Sequence, residues 1–403
     1  MINEKVQNGI SNALLVALLF SSFLLPSIQI FSGFPKIHLT DILLPLFLIV
    51  VLMNFRLEIV SAAKGFLIAN CLLAFIAVIS LLVNHRLSVL RDDFEVMKMA
   101  KFIIVFLFVM VTVAKTDYLK MLRVIFVLVV IFNFLHYINF LGFNQIITKY
   151  YGSDVQVDTF GLNSLGQPDT KRIIGTVGNP NNNAILFLFF VIFFFPELKS
   201  TWRERIYFLV AVFGLLACQS RTGFIAFGIV FLFGSVIKKH NLKTAVLYLL
   251  SFVGMFVLLM LMGNIYLNSL AGNIMKQHSL RSRLETWSML WEMIKQKPLL
   301  GYSPFKDYFD NNHIYSESEY FLHAWRYGFL GLGAYLMILG SAFCASFKER
   351  FTKSGFFLSL FTIVIIVTAL TNNPLSDTLI YMMYAFCAGL FFSDKMKGRR
   401  IMS

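Results

Sequence analysis

Charge is scarce in this 403-residue chain: Asp, Glu, Lys and Arg together make up 14% of it, against about 25% in a soluble globular domain. That shortage excludes an ordinary water-soluble enzyme. Cysteine is nearly absent, with four residues at positions 71, 218, 344 and 387. All four fall within or at the edge of apolar runs, and no spacing among them suggests a metal site or a disulfide framework. Internal repeats and low-complexity stretches are missing. So is any Asp-x-Asp pair in a polar loop, which points away from divalent-metal chemistry and leaves the expected metal and cofactor sets empty.

What is present is hydrophobicity. Apolar residues make up 58%, Phe alone occurs 45 times, and mean hydropathy is +0.74. A spanning helix needs roughly 20 mostly apolar residues. Runs of that kind recur along the whole chain, near 10–31, 37–53, 60–83, 101–114, 122–143, 183–196, 206–219, 222–237, 244–266, 321–346, 355–371 and 378–393. The fold class they imply is all-α and polytopic, one membrane domain over 1–403 with about twelve transmembrane helices. The pair 206–219 and 222–237 is short, and one re-entrant hairpin is the alternative there. The first run is too long for a signal-peptide core, no small-residue cleavage site follows it, and further spans come after it.

Lys and Arg in short loops set the orientation. With the N-terminus in the cytoplasm, 19 of the 35 basic residues lie in cytoplasmic segments. The short outer loops hold six, namely Lys36, Arg86, Arg91, Lys98, Lys101 and Arg221. Both termini are therefore expected inside. The net charge of +14 is mostly a topology signal, and no nucleic-acid motif accompanies it.

Two outer connections are long, about 144–182 and about 267–320. Connections of such length in a compact architecture are usually functional or disordered, and both mix aromatic, Gly, Pro and apolar residues. In the second, Leu284, Trp287, Leu290, Trp291 and Ile294 recur at helical spacing. This predicts an amphipathic helix over about 283–297, ended by Pro298.

Candidate chemistry collects on these outer segments. Arg221, in CQSRTGF, is either an interfacial, snorkelling residue or an anion site, because a guanidinium grips phosphate oxygens in bidentate fashion. Arg281 and Arg283 stand just ahead of the expected loop helix, where positive charge opposes the helix dipole. Lys171 and Arg172 lie in the other long loop, and Arg326 at the outer start of a span. In GTVGNPNNNA (175–184), Asn179, Asn181 and Asn182 either cap a helix or offer amides to sugar hydroxyls. Asp307, Asp310, His313, Glu317, Glu319 and His323 supply candidate general bases.

The segments GTVGNPNNNA, QSRTGF, RSRLETW…KQKPLLGY and SEYFLHAWRYGFLG, in that order, resemble the O-antigen polymerase and O-antigen ligase superfamily. The resemblance covers about 172–335 by motif. It implies a GT-C-like membrane glycosyltransferase of the bacterial cytoplasmic membrane, acting on its periplasmic or external face. Donor and acceptor would be undecaprenyl-diphosphate-linked glycans, membrane lipid would surround them, and a separate chain-length regulator protein would be a partner. Arg221 matches the arginine of the family's SRTG motif, and Arg283 the one leading into the Pro-Leu-Leu-Gly turn. The resemblance implies that both hold the donor diphosphate, with Arg281 and Arg172 in the same role. Ligases of the family carry a His-Asn pair about eleven residues before the Gly-aliphatic-aliphatic-Gly turn. Here the turn begins at Gly328 and that position is Glu317, followed by Ser318. The stretch is closer to the polymerase branch.

The expected reaction is metal-independent and inverting. Glu319, with Glu317 or His313 as alternatives, takes the proton of the acceptor hydroxyl. Arg221 and Arg283 neutralise the leaving diphosphate, while Arg172, Arg281, Arg326, Asn179, Asn181, Tyr320 and His313 bind substrate. Tyr150, Tyr151, Tyr320 and Trp325 are either sugar-stacking platforms or interfacial belt residues. Two alternatives remain open. One is a ligase that transfers the chain to lipid A-core. The other is a non-enzymatic flippase of lipid-linked sugars, which the near absence of charge within the spans disfavours.

Overall fold

A computed structural model describes residues 4–28, 36–54, 57–87, 89–113, 117–152, 172–197, 200–238, 277–312, 314 and 316–402. Among these residues the chain is helical throughout, apart from turns, short 3₁₀ segments and one isolated bridge between Ile28 and Ile37. The helices are α1 (Glu4–Leu24), α2 (Leu39–Ile42), α3 (Leu44–Met53), α4 (Leu57–Val83), α5 (Leu90–Thr112), α6 (Tyr118–Ile138), α7 (Phe143–Tyr150) and α8 (Pro180–Phe193). They continue with α9 (Trp202–Ala217), α10 (Arg221–Ile237), α11 (Gln277–Gln296), α12 (Lys306–Asn311), α13 (Glu319–Lys348), α14 (Lys353–Thr368) and α15 (Thr378–Met402).

A helix stands at each apolar run expected to span, except 244–266, which lies outside the described residues. By length and composition, Ala63–Val83, Tyr118–Ile138 and Glu319–Lys348 can cross a membrane. Gly9–Leu24, Leu44–Met53, Pro180–Phe193, Arg221–Ile237 and Lys353–Thr368 are shorter apolar helices. A 21-residue helix is about 30 Å long, the thickness of a hydrocarbon core. On α4, Ala69, Leu73, Ala77 and Leu81 are buried, while Ile68, Leu72, Phe75 and Leu82 are exposed. An apolar face left uncovered along a full span belongs against lipid. The chain is a helical integral membrane protein.

The chain divides into two compact units. The first comprises Met1–Ile125, Thr286–Thr362 and Ala369–Ser403; the second comprises Phe126–Glu285 and Ile363–Thr368. In the first, α4, α5, α13 and α15 pack together around an aromatic core. Phe102 stacks on Tyr381 at 4.2 Å between centroids, and Phe66 contacts Phe106 at 5.1 Å and Phe392 at 5.7 Å. In the second, α8 packs against α9 and α10. Gly214 and Gly223 permit the close approach: a β-carbon at Gly223 would stand 2.9 Å from that of Ala184, and one at Gly214 2.2 Å from the Phe187 ring.

Helix α13 is not one rod. Gly328 adopts φ 66°, ψ −171° and splits it into a first segment, Glu319 to Tyr327, and a longer apolar one beginning at Phe329. The break is filled by the turn after α11. Phe329 N–H donates to Pro298 O (2.7 Å) and Tyr302 N–H to Trp325 O (3.0 Å). From α4, Ser80 Oγ donates to Leu300 O (2.7 Å) and Asn84 Nδ2 to Gly301 O (3.0 Å). The motifs KPLLGY and WRYGFLG are therefore one backbone-to-backbone joint. A β-carbon at Gly328 would fall 2.1 Å from Leu299 O, in a backbone region that only glycine tolerates. Gly328→Ala is expected to destabilise by at least about 1–3 kcal/mol, read as a lower Tm of the detergent-solubilised protein.

Candidate functional site

In the second unit, the segment 172–183 and the α9–α10 corner form one polar network. Asn179, with extended backbone, caps α8 by accepting from Asn181 N–H, and Pro180 occupies the first helical turn. Asn181 Oδ1 accepts from Arg172 Nη2 and from Ser220 Oγ, both at 3.0 Å. Arg172 Nε donates to Cys218 O at 3.2 Å. Fully buried Asn183 donates to Asn133 Oδ1 at 2.8 Å. The carbonyl groups of Asn179 and Asn181 are thus spent on the fold, and Arg172 staples the segment to the corner.

The corner sets out each residue of QSRTG. Gln219 takes a left-handed turn with φ 49°. Ser220 caps α10 by accepting from Gly223 N–H, and Gly223 meets α8. Arg221 is the first residue of α10 and is exposed. No hydrogen bond or ion pair of its side chain is present among the described residues. A cation at a helix N-terminus opposes the dipole, so neither packing nor helix stability accounts for it.

Arg283, half-buried, lies within α11 rather than ahead of it, because the helix begins at Gln277, not near 283. Arg281 also belongs to α11; its side chain lies outside the described residues, as does the whole of His313.

In the first unit, the later part of α11, with α12 and the first segment of α13, closes over its own apolar cluster of Leu290, Ile294, Phe309, Leu322 and Trp325. Leu284 and Trp291, on the apolar face that the helical spacing predicts, are exposed at 54% and 44%. Trp325 is fully buried, 4.3 Å from Phe309 between centroids, so it is core and not a sugar platform. Tyr320 is half-buried, with its ring edge-on to Tyr335 at 6.0 Å.

Trp287 stacks on Phe321 at 5.4 Å and donates from Nε1 to Ser316 O at 2.6 Å. Ser316 is hydrogen-bonded through Oγ to the Asn373 carboxamide at 3.2 Å, and Ser318 Oγ donates to Ala369 O at 3.2 Å. Between these two pinned serines, Glu317 holds φ 46° and is only partly buried. A non-glycine residue kept in the left-handed region by its neighbours is a recurrent mark of functional sites.

Glu319 is placed otherwise. It is fully buried. Its Oε2 accepts from Tyr335 OH (2.9 Å) and Leu375 N–H (3.0 Å), and Oε1 from Ser376 Oγ (3.0 Å). Its own N–H donates to Ala369 O at 2.9 Å. The carboxylate ties α13 to the 369–376 turn and has no free face toward a substrate.

Arg326 Nη1 stands 3.4 Å from Glu95 Oε2. Lys98 is 2.7 Å from the other oxygen, and Lys306 is paired with it too. Burial alone would raise the Glu95 carboxyl; Lys98, Lys306 and Arg326 outweigh it and hold the group far below the ordinary carboxylate range. Sequence reasoning missed this cluster, since Glu95 and Arg326 are 231 residues apart and no local pattern links them.

Residues 206–336 match a family model described as O-antigen ligase. The matched segment contains Arg221, Arg283, Glu317, Glu319 and Arg326, and leaves the 175–184 motif outside. No curated protein matches the chain.

Proposed function

We propose that this chain, whose residues 206–336 match a family model described as O-antigen ligase, is a surface-polysaccharide polymerase of the O-antigen polymerase and ligase superfamily. It joins undecaprenyl-diphosphate-linked repeat units by metal-independent, inverting glycosyl transfer. In this reading it crosses the bacterial cytoplasmic membrane about twelve times, with a GT-C-like arrangement and both termini inside. The chemistry takes place on the external face, where a chain-length regulator protein is the expected partner.

In the reaction, the acceptor hydroxyl oxygen attacks the anomeric carbon of the donor. The bond from that carbon to the diphosphate oxygen breaks, and polyprenyl diphosphate leaves with the electron pair. Arg221 and Arg283 neutralise its growing charge, an interaction stronger in the transition state than in the ground state. The proton of the attacking hydroxyl passes to a carboxylate. Glu317 suits that task better than Glu319, because a general base must reach the proton it removes. Glu319 is enclosed and already accepts three hydrogen bonds.

The observation that supports a polymerase over a ligase is Glu317 itself: a carboxylate on constrained backbone at the position where ligases of the family carry His-Asn. The description of the matched family favours the ligase as the second reading. Reconstitution separates them. Purified protein receives only undecaprenyl-diphosphate-linked repeat units, with chelator present, and products are resolved on a gel. A ladder of lengthened glycan is expected. Transfer seen only after lipid A-core is added would make the protein a ligase. No product with either acceptor would leave the flippase.

A further inference from the structure

The first unit holds a cleft that the proposed donor chemistry does not use. Lys98, Glu95, His323, Arg326 and Ser376 line its polar side, and Leu73, Met99 and Ile338 its apolar side. Lys98 donates to Glu95 and to Ser376 O (3.2 Å), leaving its third N–H uncommitted. Among the described residues, Arg326 Nε and His323 Nδ1 are buried and have no hydrogen-bond partner. Buried polar atoms are almost always paired, so two such atoms on one wall mark a place meant to be filled, His323 in the tautomer that donates from Nδ1.

The charge balance says with what. Lys98, Lys306 and Arg326 surround the single carboxylate of Glu95. Next to them, Arg86 pairs with Asp92 and Asp307, each at 2.8 Å. Four cations thus face three carboxylates. A structural ion cluster gains little from an unmatched, partly buried cation; a site for an anion does. Burial depresses the Lys306 ammonium, Lys98 and Arg326 add to this, and Glu95 opposes it; an arriving anion would relieve that repulsion. The apolar side beside the cations suits the neck of a lipid.

We infer that this cleft binds a phosphate ester at the membrane surface, through Lys98, Arg326 and His323. The chemistry fits the diphosphate of a second, acceptor lipid-linked saccharide, and equally the headgroup of an anionic phospholipid. The first source rests on the polymerase reading, in which two diphosphates are held at once.

The test uses the full chain in phosphatidylcholine nanodiscs, titrated with inorganic diphosphate by calorimetry. Two classes of site are expected. Lys98→Gln should weaken one class at least tenfold, Lys98→Arg should restore it, and Arg221→Ala should leave it intact while abolishing the other. His323→Phe keeps the ring stack on Tyr335, 4.3 Å between centroids, removes Nδ1, and should weaken the same class if Lys98→Gln proves unstable. A folded Lys98→Gln or His323→Phe protein that binds diphosphate as the wild type does overturns the inference. Arg221→Ala without effect on either class instead counts against the donor site and leaves this one standing. Replacing phosphatidylcholine with phosphatidylglycerol separates the sources. Loss of the Lys98-dependent class identifies a phospholipid occupant, and its persistence, with competition by undecaprenyl diphosphate, identifies the acceptor.

Discussion

Arg221→Ala is expected to lower turnover by about 10²–10³-fold, the cost of one charge donor aimed at a developing anion, while the protein becomes no less stable. The side chain is exposed and stands at the positive end of α10. Removing it relieves a dipole conflict of about 0.3–1 kcal/mol. A variant with unchanged or raised Tm and nearly no polysaccharide is the signature of a residue kept for chemistry against its local structural interest. Arg221→Lys should recover only part of the rate, because an ammonium presents a point charge where a guanidinium presents a planar fork. Arg283→Ala should show the same loss of rate. Near-normal product length and yield in both alanine variants, at normal protein levels, would remove the diphosphate role from these residues.

The second large effect separates two glutamates that are two residues apart. Glu317→Gln should fold normally and lose about 10²–10⁴-fold in rate, the contribution of a positioned general base. Glu319→Gln should retain most activity, since an amide oxygen can still accept from Tyr335 and Leu375 and the Ser376 hydroxyl can turn to accept. Glu319→Ala leaves the buried Leu375 N–H and Tyr335 OH without an acceptor, at about 1–3 kcal/mol each. It should be seen first as lost protein. Rates and melting curves of the three variants decide the matter: a folded Glu319→Gln with no activity beside an active Glu317→Gln would return the base to Glu319.

Much of the architecture was legible because lipid solvation writes itself into hydropathy. Helix positions followed from apolar runs, and Pro298 marked the end of α11, which stops at Gln296. Capping was legible in kind at Asn179, though sequence left Asn179 and Asn181 open between capping and sugar binding. What sequence could not supply was which polar side chains face each other. Glu319 and Glu317 are the same residue type in the same short stretch. Only the 369–376 turn, some fifty residues away, decides that one is enclosed and the other is not. The turn at Gly328 was legible as a motif, but its occupant was not: only the structure shows that residues 298–301 fill the break in α13. Helical period placed Leu284 and Trp291 on the apolar face of α11 but could not say how much of that face is covered, and both are exposed.

The interruption at Gly328 also bears on how such a protein diversifies. In an unbroken helix, every residue's angular position is locked to every other's by the 100° step. Side chains chosen at one end would then dictate which side chains meet lipid three turns below. A glycine joint cancels that bookkeeping. The segment carrying Tyr320, His323 and Arg326 can change its side chains while the apolar pattern from Phe329 onward is inherited unchanged, which makes the joint a seam between two independently variable pieces.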